Sequence, residues 1–178
     1  RQRQMCIRDS YCTSIAVAEG DTIATVSIAY IINLLTGDEF YAEKGKGAFL
    51  NGQTLKTQKE ETIQVVAYEA QTPKRDIPVI MPLLQAARRT RCLGATALDL
   101  ALLGAGAVSI FVSPAPSRSF DFAAGWLIVK EAGGVFTDIE GRPVEDTPVG
   151  LKKTTTLLAG ANRGLHERAL RLIRGGKR

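Results

Sequence analysis

The stretch SRSFDFAAGWLIVKEAGG (residues 117–134) places one carboxylate, Asp121, at the head of a run that is otherwise nearly all apolar. Its small and apolar residues, followed by Gly133 and Gly134, predict a helix that ends at the glycines and is capped at its start by Asp121 or Ser119. The positive end of the helix dipole keeps a carboxylate at that position ionised. Asp121 is therefore either a helix cap or a ligand for a hard cation such as Mg²⁺, and its position alone allows both.

Strands and helices alternate from residue 62 onward, which predicts an α/β unit. Apolar segments rich in β-branched residues indicate the strands, and amphipathic segments between turn signals indicate the helices. The main expected elements are a loop at 72–78, a helix at 79–90 with Pro82 in its first turn, a strand at 107–114, a loop at 115–119 and a helix at 162–174 capped by Asn162.

The residues before this unit predict a meander of antiparallel strands. Two apolar, β-branched segments, 13–20 and 22–35, are separated by a Gly-Asp turn signal. Asn51-Gly52, the strongest short-range hairpin signal, joins two further short strands. We therefore expect an α/β, layered fold, in which residues 11–60 form the last strands of an N-terminal antiparallel sheet and residues 61–178 a C-terminal α/β domain.

The opening RQRQMCIRDS (residues 1–10) differs in character from the rest of the chain. It has no periodicity, and it resembles the translation of a transposon-end adapter used in sequencing libraries, in which ATG TGT ATA AGA GAC AG encodes Met-Cys-Ile-Arg-Asp-Ser. We therefore interpret residues 1–10 as an adapter-derived scar and exclude them from the fold prediction. The natural protein is then expected to begin before Tyr11, which would make this chain a fragment.

The distribution of charge argues against a nucleic-acid partner. The formal net charge is +5, but the first ten residues hold three Arg and one Asp, so the remainder carries +3. The C-terminal RLIRGGKR holds four positive charges, which leaves the body of the chain close to neutral. Such a chain lacks the broad basic surface that binding of nucleic acid requires.

Composition also restricts the compartment and the chemistry. No apolar run reaches the roughly 18–20 residues of a membrane span, and the cysteines Cys6, Cys12 and Cys92 fit a reducing cytoplasm. The only histidine, His166, lies among arginines in the closing amphipathic helix and is expected at the surface. A Ser-His or Cys-His mechanism therefore has no base, and no Walker-type phosphate loop is present.

Three motifs resemble those of one enzyme family. Phe120-Asp121, a small-residue helix and Glu131-Ala-Gly-Gly resemble the second signature of the inositol monophosphatase family, which shares a lithium-sensitive superfamily with fructose-1,6-bisphosphatase. EFYAEKGKGAFLNG (residues 39–52) resembles a further motif of the family, and LGATALDL contains the Gly-Ala-Thr that matches its substrate loop. One match would be weak, but three in the family's order are specific.

The resemblance implies Mg²⁺-dependent hydrolysis of a phosphate monoester on a small polyol or sugar, such as inositol monophosphate or fructose-1,6-bisphosphate. It implies the sugar-phosphatase fold, a role for Asp121 as a metal ligand, and a metal-activated water in place of a catalytic nucleophile. The loop Gly94, Ala95 and Thr96 would offer backbone N–H groups and a hydroxyl to the substrate. Arg118 is expected either to bind a phosphate or sugar oxygen or to be a solvated loop charge.

Other positions refine the resemblance. Pro114 stands where inositol-preferring members commonly have Glu, and the Arg118-x-x-Asp121 spacing is similar to that of archaeal-type members that act on both inositol phosphates and fructose bisphosphate. Asp99 and Glu131 are expected to be a helix cap and a helix-surface residue rather than ligands.

Two alternative functions stay open. One is a family phosphatase for 3′-phosphoadenosine 5′-phosphate, and the other is a non-catalytic sugar-phosphate-binding or assembly module that kept the fold and lost the metals. Homodimers are common in the family. In relatives the remaining metal-binding carboxylates lie upstream of the segment that begins at Tyr11, so this chain alone is expected to be inactive and its first sheet to have an open edge.

Overall fold

The structure is a computed structural model that describes residues 10–176. The expected adapter-derived segment lies outside the described residues, except for Ser10. Two five-stranded sheets and four α-helices make up the described part of the chain, which confirms the α/β class.

The first sheet is an antiparallel meander in the order β1-β2-β3-β4-β5. A short 3₁₀ helix, Ile23–Thr25, precedes the second strand. Between the last two strands Asn51 and Gly52 have φ of 50° and 79°, as a two-residue type I′ turn requires at both central positions, and the hairpin expected there is confirmed. The strands are β1 Cys12–Ala18, β2 Val26–Asn33, β3 Glu39–Glu43, β4 Gly47–Leu50 and β5 Gln53–Thr54.

The second sheet is mixed and has the order β7-β6-β8-β10-β9. Strand β6 pairs in parallel with both β7 and β8, whereas β10 pairs antiparallel with β8 and β9. Parallel neighbours require crossover connections, and a helix accordingly lies between β6 and β7 and another between β7 and β8. The strands are β6 Val65–Tyr68, β7 Arg89–Arg91, β8 Ile110–Arg118, β9 Val135–Thr137 and β10 Lys153–Gly160.

The helices are α1 Pro73–Ala86, α2 Thr96–Gly104, α3 Ser119–Glu131 and α4 Arg163–Gly175. Helices α2 and α3 pack on each other and contact both sheets, while α1 and α4 pack together and contact the second sheet. A Cβ on Gly125 of α3 would lie only 2.6 Å from Leu100 of α2, so glycine at this position permits the close approach of the two helices. Asn162 caps α4 as expected, because its Oδ1 accepts a hydrogen bond from Leu165 N at 2.9 Å.

Helix α1 begins at Pro73, so the loop expected at 72–78 is wrong, and Pro82 lies in the helix interior rather than in its first turn. Pro73 occupies the first turn, where a missing N–H costs little. The Asp76 carboxylate accepts a hydrogen bond from Thr72 N at 2.6 Å. The polar residues that suggested a loop therefore supply the start of the helix.

Strand β8 continues to Arg118, so the loop expected at 115–119 is also wrong. Strand β6 pairs with residues 110–112 alone, and beyond them β8 has no strand on that side among the described residues. Proline has no backbone N–H to donate to a neighbouring strand. Pro114 and Pro116 are compatible with a strand there, because no strand on that side needs such a hydrogen bond. The extension fixes Arg118 directly before α3.

The expected surface position of His166 is wrong, because its side chain is buried. Its Nε2 lies 2.8 Å from Thr137 Oγ1 of β9, and burial lowers the pKa of the imidazole. Helix α4 buries His166 with Leu165, Ala169 and Ile173 and leaves its arginines exposed. His166 therefore links helix α4 to strand β9, and its role is structural rather than that of a catalytic base.

Candidate active site

A cleft of about 560 Å³ lies where β1, the end of β6, the start of α2 and the start of α3 meet. All five residues that the sequence predicts to bind substrate or metal line it, although they come from separate segments of the chain. The cleft is lined by Ser10, Tyr11, Cys12, Ser14, Glu69, Gln71, Gly94, Ala95, Thr96, Ala97, Arg118, Phe120 and Asp121.

The loop Gly94-Ala95-Thr96 forms the entry to helix α2 on one side of the cleft. Gly94 has φ of +75°, a left-handed conformation that favours glycine. Ala95 is at the N-cap and offers no side-chain cap to the backbone N–H groups of the first turn. Uncapped N–H groups at the positive end of a helix favour an anion, which makes this side of the cleft suitable for a phosphate.

Arg118 and Asp121 form a two-point ion pair on the opposite side of the cleft. Arg118 Nε lies 2.9 Å from Asp121 Oδ2, and Arg118 Nη2 lies 3.2 Å from Asp121 Oδ1. The same Asp121 Oδ2 accepts a longer bond, 3.4 Å, from Arg118 N at the start of α3. The hydrogen bond to Asp121 raises the pKa of Arg118 further above its ordinary value, so the guanidinium is permanently charged.

The guanidinium of Arg118 also contacts an aromatic ring. Its Cζ lies 4.5 Å from the centre of the Phe120 ring, a cation–π distance. Phe120 is itself 44% exposed, so its ring contacts the guanidinium on the cleft side rather than on the core side. Arg118 is thus held in place by both a carboxylate and a ring, and is more than a solvated loop charge.

Two further residues that follow strand β6, Glu69 and Gln71, line the cleft and were not predicted from the sequence. A signal was available, since ligands of open α/β sheets bind at the carboxyl ends of parallel strands. Glu69 is the first residue after such a strand, and its N–H donates to Val112 O at 3.0 Å. A second carboxylate therefore accompanies Asp121 in the cleft.

Asp99 is not the helix cap that was expected. It is the fourth residue of α2, fully buried, and neither carboxylate oxygen has a hydrogen-bond partner within residues 10–176. Burial, reinforced by the charge of Glu69, raises the pKa of Asp99 to about 8. Asp99 therefore holds its proton at neutral pH, behind the wall of the cleft formed by Gly94–Ala97.

Glu131, expected as a helix-surface residue, has a specific structural role. Its Oε1 accepts a hydrogen bond from Gly45 N and its Oε2 one from Gly47 N, each at 2.9 Å. Gly45 lies in the turn between β3 and β4, and Gly47 is the first residue of β4. Glu131 therefore ties the end of α3 to the first sheet, at the opposite end of the helix from Asp121.

The described residues alone do not fit a Mg²⁺ site. Both oxygens of Asp121 are engaged by Arg118, and across residues 10–176 no group of three or more His, Cys, Asp or Glu is placed to hold a metal ion. Mg²⁺ takes oxygen ligands in near-octahedral geometry, commonly one or two carboxylates with several waters. Asp121 and Glu69 are the carboxylates that this part of the chain contributes to the cleft.

Comparison with known proteins identifies the family. The sequence profile described as the inositol monophosphatase family matches residues 5–177. The chain belongs to this family. The fructose-1,6-bisphosphatase/inositol-1-monophosphatase of Methanothermobacter thermautotrophicus is 32% identical to it over 170 residues, which cover 92% of this chain and 60% of that protein. A bifunctional NADP phosphatase/NAD kinase of Methanococcus maripaludis is 33% identical over 129 residues, which cover 67% of this chain and 22% of that one.

Solved structures support the same assignment. A Pyrococcus horikoshii protein described as having similarities to inositol-1 monophosphatase superposes on this chain with a TM-score of 0.78 and 28% sequence identity. The superposition covers 90% of this chain and 61% of the Pyrococcus protein. The chain thus spans about three fifths of the length of the first relatives it matches. No helix within residues 10–176 is long and apolar enough to cross a membrane.

Proposed function

We propose that the natural protein containing this chain hydrolyses a phosphate monoester of a small polyol or sugar, inositol monophosphate or fructose-1,6-bisphosphate, with Mg²⁺ as its cation. The observation that supports this most is the convergence of an uncapped helix start, a fixed arginine and a carboxylate on one cleft. Family members are named phosphatases, and the family is generally metal-dependent. The described residues supply the substrate side of the site.

Each side of the cleft has a part in holding the phosphate. The N–H groups of the Gly94–Thr96 loop and the Thr96 hydroxyl donate to phosphate oxygens at the positive end of α2. Arg118 presents a planar, permanently charged fork that matches two oxygens of the same group. Both interactions favour a doubly charged phosphate over the neutral hydroxyls of the sugar, so the phosphate fixes the orientation of the substrate.

This chain alone is proposed to bind phosphate without hydrolysing it. Its cleft contributes Asp121 and Glu69, and within residues 10–176 no group of three or more His, Cys, Asp or Glu is placed to hold a metal ion. His166, the sole histidine of the chain, is buried against Thr137 and cannot act as a base in the cleft. No step of hydrolysis is therefore assigned to these residues.

The alternatives differ in the group that carries the phosphate. Pro114 rather than Glu supports a member that is not strict for inositol. The similarity to a protein named as an NADP phosphatase supports testing nucleotides, which the proposal of a 3′-phosphoadenosine 5′-phosphate phosphatase also requires. The free thiols Cys12 and Cys92 support a reducing cytoplasm as the compartment.

The test combines binding and turnover. Inorganic phosphate, inositol 1-phosphate, fructose 1,6-bisphosphate, 3′-phosphoadenosine 5′-phosphate and NADP are titrated into ¹⁵N-labelled chain, and phosphate release from the last four is measured with the full coding sequence. The expected result is saturable shifts at the Gly94, Ala95 and Thr96 amides and turnover of the sugar or inositol phosphates. Turnover of the nucleotides alone would establish the alternative, and binding without turnover by the full coding sequence would establish the non-catalytic module.

A further inference from the structure

The hydroxyl of Ser119, the first residue of α3, bonds with a distant segment of the chain. Serine near a helix start commonly accepts a hydrogen bond from an N–H of the first turn. Here Ser119 Oγ accepts one from Gly150 N at 2.8 Å and donates one to Gly150 O at 3.1 Å. Ser119 is only 1% exposed, so both bonds lie inside the protein. They connect the start of α3, directly after Arg118, to a residue 31 positions further along the chain.

The segment that contains Gly150, residues 145–150, is also bonded to the first sheet. Its partner there is the connection between β1 and β2. Three backbone hydrogen bonds join the two: Ala24 N to Glu145 O at 2.9 Å, Ile23 N to Thr147 O at 3.0 Å and Val149 N to Asp21 O at 2.8 Å. The segment is therefore held on one side by the first sheet's connection and on the other by Ser119.

The end of β8 depends on such contacts because its strand pairing is incomplete. Strand β6 pairs with residues 110–112 alone, so within residues 10–176 the end of β8 has a strand on one side only. On that side β10 pairs Lys153 with Arg118, and the register shifts twice between Lys153 and Leu157. Irregular pairing disrupts the ladder locally. Strand pairing alone therefore fixes Arg118 weakly, and the bonds of Ser119 act one residue further on.

We propose that Ser119 is a positioning residue for phosphate binding, which fixes the backbone from which Arg118 reaches the phosphate. This inference rests on the proposed function, in which Arg118 binds the phosphate. A two-point contact tolerates little displacement, since binding groups must be held to within about 0.5 Å of their productive geometry. Among the described residues Ser119 does not line the cleft, so its effect passes through Arg118.

Ser113, in strand β8, provides a matched control. It is also 1% exposed, and its Oγ donates a hydrogen bond to Ala115 O at 3.1 Å. It lies outside the described lining of the cleft. Ser113→Ala and Ser119→Ala thus each remove one buried hydroxyl with its hydrogen bonding, but only Ser119→Ala removes bonds next to Arg118.

Titration of inorganic phosphate into ¹⁵N-labelled chain, followed at the Gly94–Thr96 amides, tests the positioning role. Ser119→Ala is expected to raise the dissociation constant about three- to tenfold, the usual effect of one lost hydrogen bond. Ser113→Ala is expected to leave it within about twofold. In the Arg118→Gln background Ser119→Ala is expected to add less than about twofold, because effects that pass through one group are not additive.

Amide hydrogen exchange needs no variant, should Ser119→Ala fail to fold. Coupling between two binding events is reciprocal. Saturating phosphate is therefore expected to slow exchange of the Gly150 amide about three- to tenfold. The Asp138 amide, which donates to Arg142 O in a turn outside the described cleft lining, is the internal control and is expected to change less than about twofold.

The outcomes separate this inference from the proposed function. Unchanged phosphate affinity in Ser119→Ala, or equal weakening by both serine variants, overturns the positioning role and leaves the proposed function standing. A Ser119→Ala effect that persists in full beside Arg118→Gln also overturns it, because the effect then does not pass through Arg118. A Gly150 amide that phosphate does not protect overturns it as well. A chain that binds no phosphate overturns both.

Discussion

Arg118 and Asp121 bind each other through two hydrogen bonds, at 2.9 and 3.2 Å, across one turn at the start of α3. The pair neutralises the carboxylate in the part of the chain described and holds the guanidinium at the cleft. A phosphate and a cation would each compete for one member of this pair. Under the proposed function, anion binding and cation binding therefore meet at this ion pair.

Replacement of Arg118 tests its role in phosphate binding. Arg118→Gln removes the charged fork, and we expect the dissociation constant for inorganic phosphate to rise about 10- to 100-fold, the usual effect of losing hydrogen bonds to a charged group. Calorimetric titration measures it. Arg142→Gln is the matched control, because Arg142 pairs with Asp138 outside the cleft. Equal affinity in the Arg118 variant and the unchanged chain would show that the helix start alone binds the phosphate.

Asp99 makes the stability of the fold depend on pH. Its folded-state pKa of about 8 is above the value near 3.9 of an unfolded chain, so the folded state holds a proton that the unfolded state has lost between about pH 4 and 8. Stability from this group is therefore present at low pH, falls as pH rises through that window and levels off above it. Asp99→Asn is expected to stabilise the chain at pH 8, and less at pH 5.

The measurement for Asp99 is thermal unfolding of both proteins from pH 5 to pH 9. The difference between variant and unchanged chain isolates Asp99 from other titrating groups, and it is expected to grow by up to about 4 kcal/mol between pH 5 and 8. A difference that does not change with pH would mean that Asp99 titrates alike in both states.

Glu131 is expected to matter for stability although it lies at the end of a helix. The Glu131→Gln side chain keeps one of the two oxygen acceptors for Gly45 N and Gly47 N and has no negative charge. We expect the free energy of unfolding to fall by about 1–3 kcal/mol. Urea denaturation measures it, with Glu60→Gln as the exposed control. Similar midpoints for the two variants would refute the link between α3 and the first sheet.

Gly125 tests the contact between α2 and α3. A methyl group there would lie 2.6 Å from Leu100, so Gly125→Ala should destabilise the chain by about 1–3 kcal/mol despite the better helix propensity of alanine. Gly150→Ala, where nothing lies within 4 Å, is expected to be close to neutral. Denaturant midpoints compare the two, and a neutral Gly125→Ala would mean that the helices can separate at little cost.

Local conformational rules were sufficient for part of the fold. The Asn51-Gly52 turn follows from the positive φ that its type demands, and the Asn162 cap from a single side-chain acceptor. The start of α1 and the end of β8 could not be predicted in this way, because prolines suggested breaks. Pairing with neighbouring strands and the Asp76 cap decided those boundaries instead.

Residues of the candidate site were predicted only where they belong to a recognised sequence motif. Arg118 and Asp121 are neighbours in sequence, so their proximity could be anticipated, whereas Glu69 reaches the cleft through the order of the strands. The burial of His166 and Asp99 depends on which helix face the sheets cover. A single sequence gives the period of a helix but not the partner that covers each face.

The most direct test of the central claim is phosphate release from inositol 1-phosphate by the full coding sequence, with and without Mg²⁺, beside its Asp121→Asn variant. We expect turnover only with Mg²⁺, a loss of at least about 10- to 100-fold in the variant, and no turnover by the 178-residue chain alone. Turnover that needs no divalent cation, or that Asp121→Asn leaves unchanged, would contradict it.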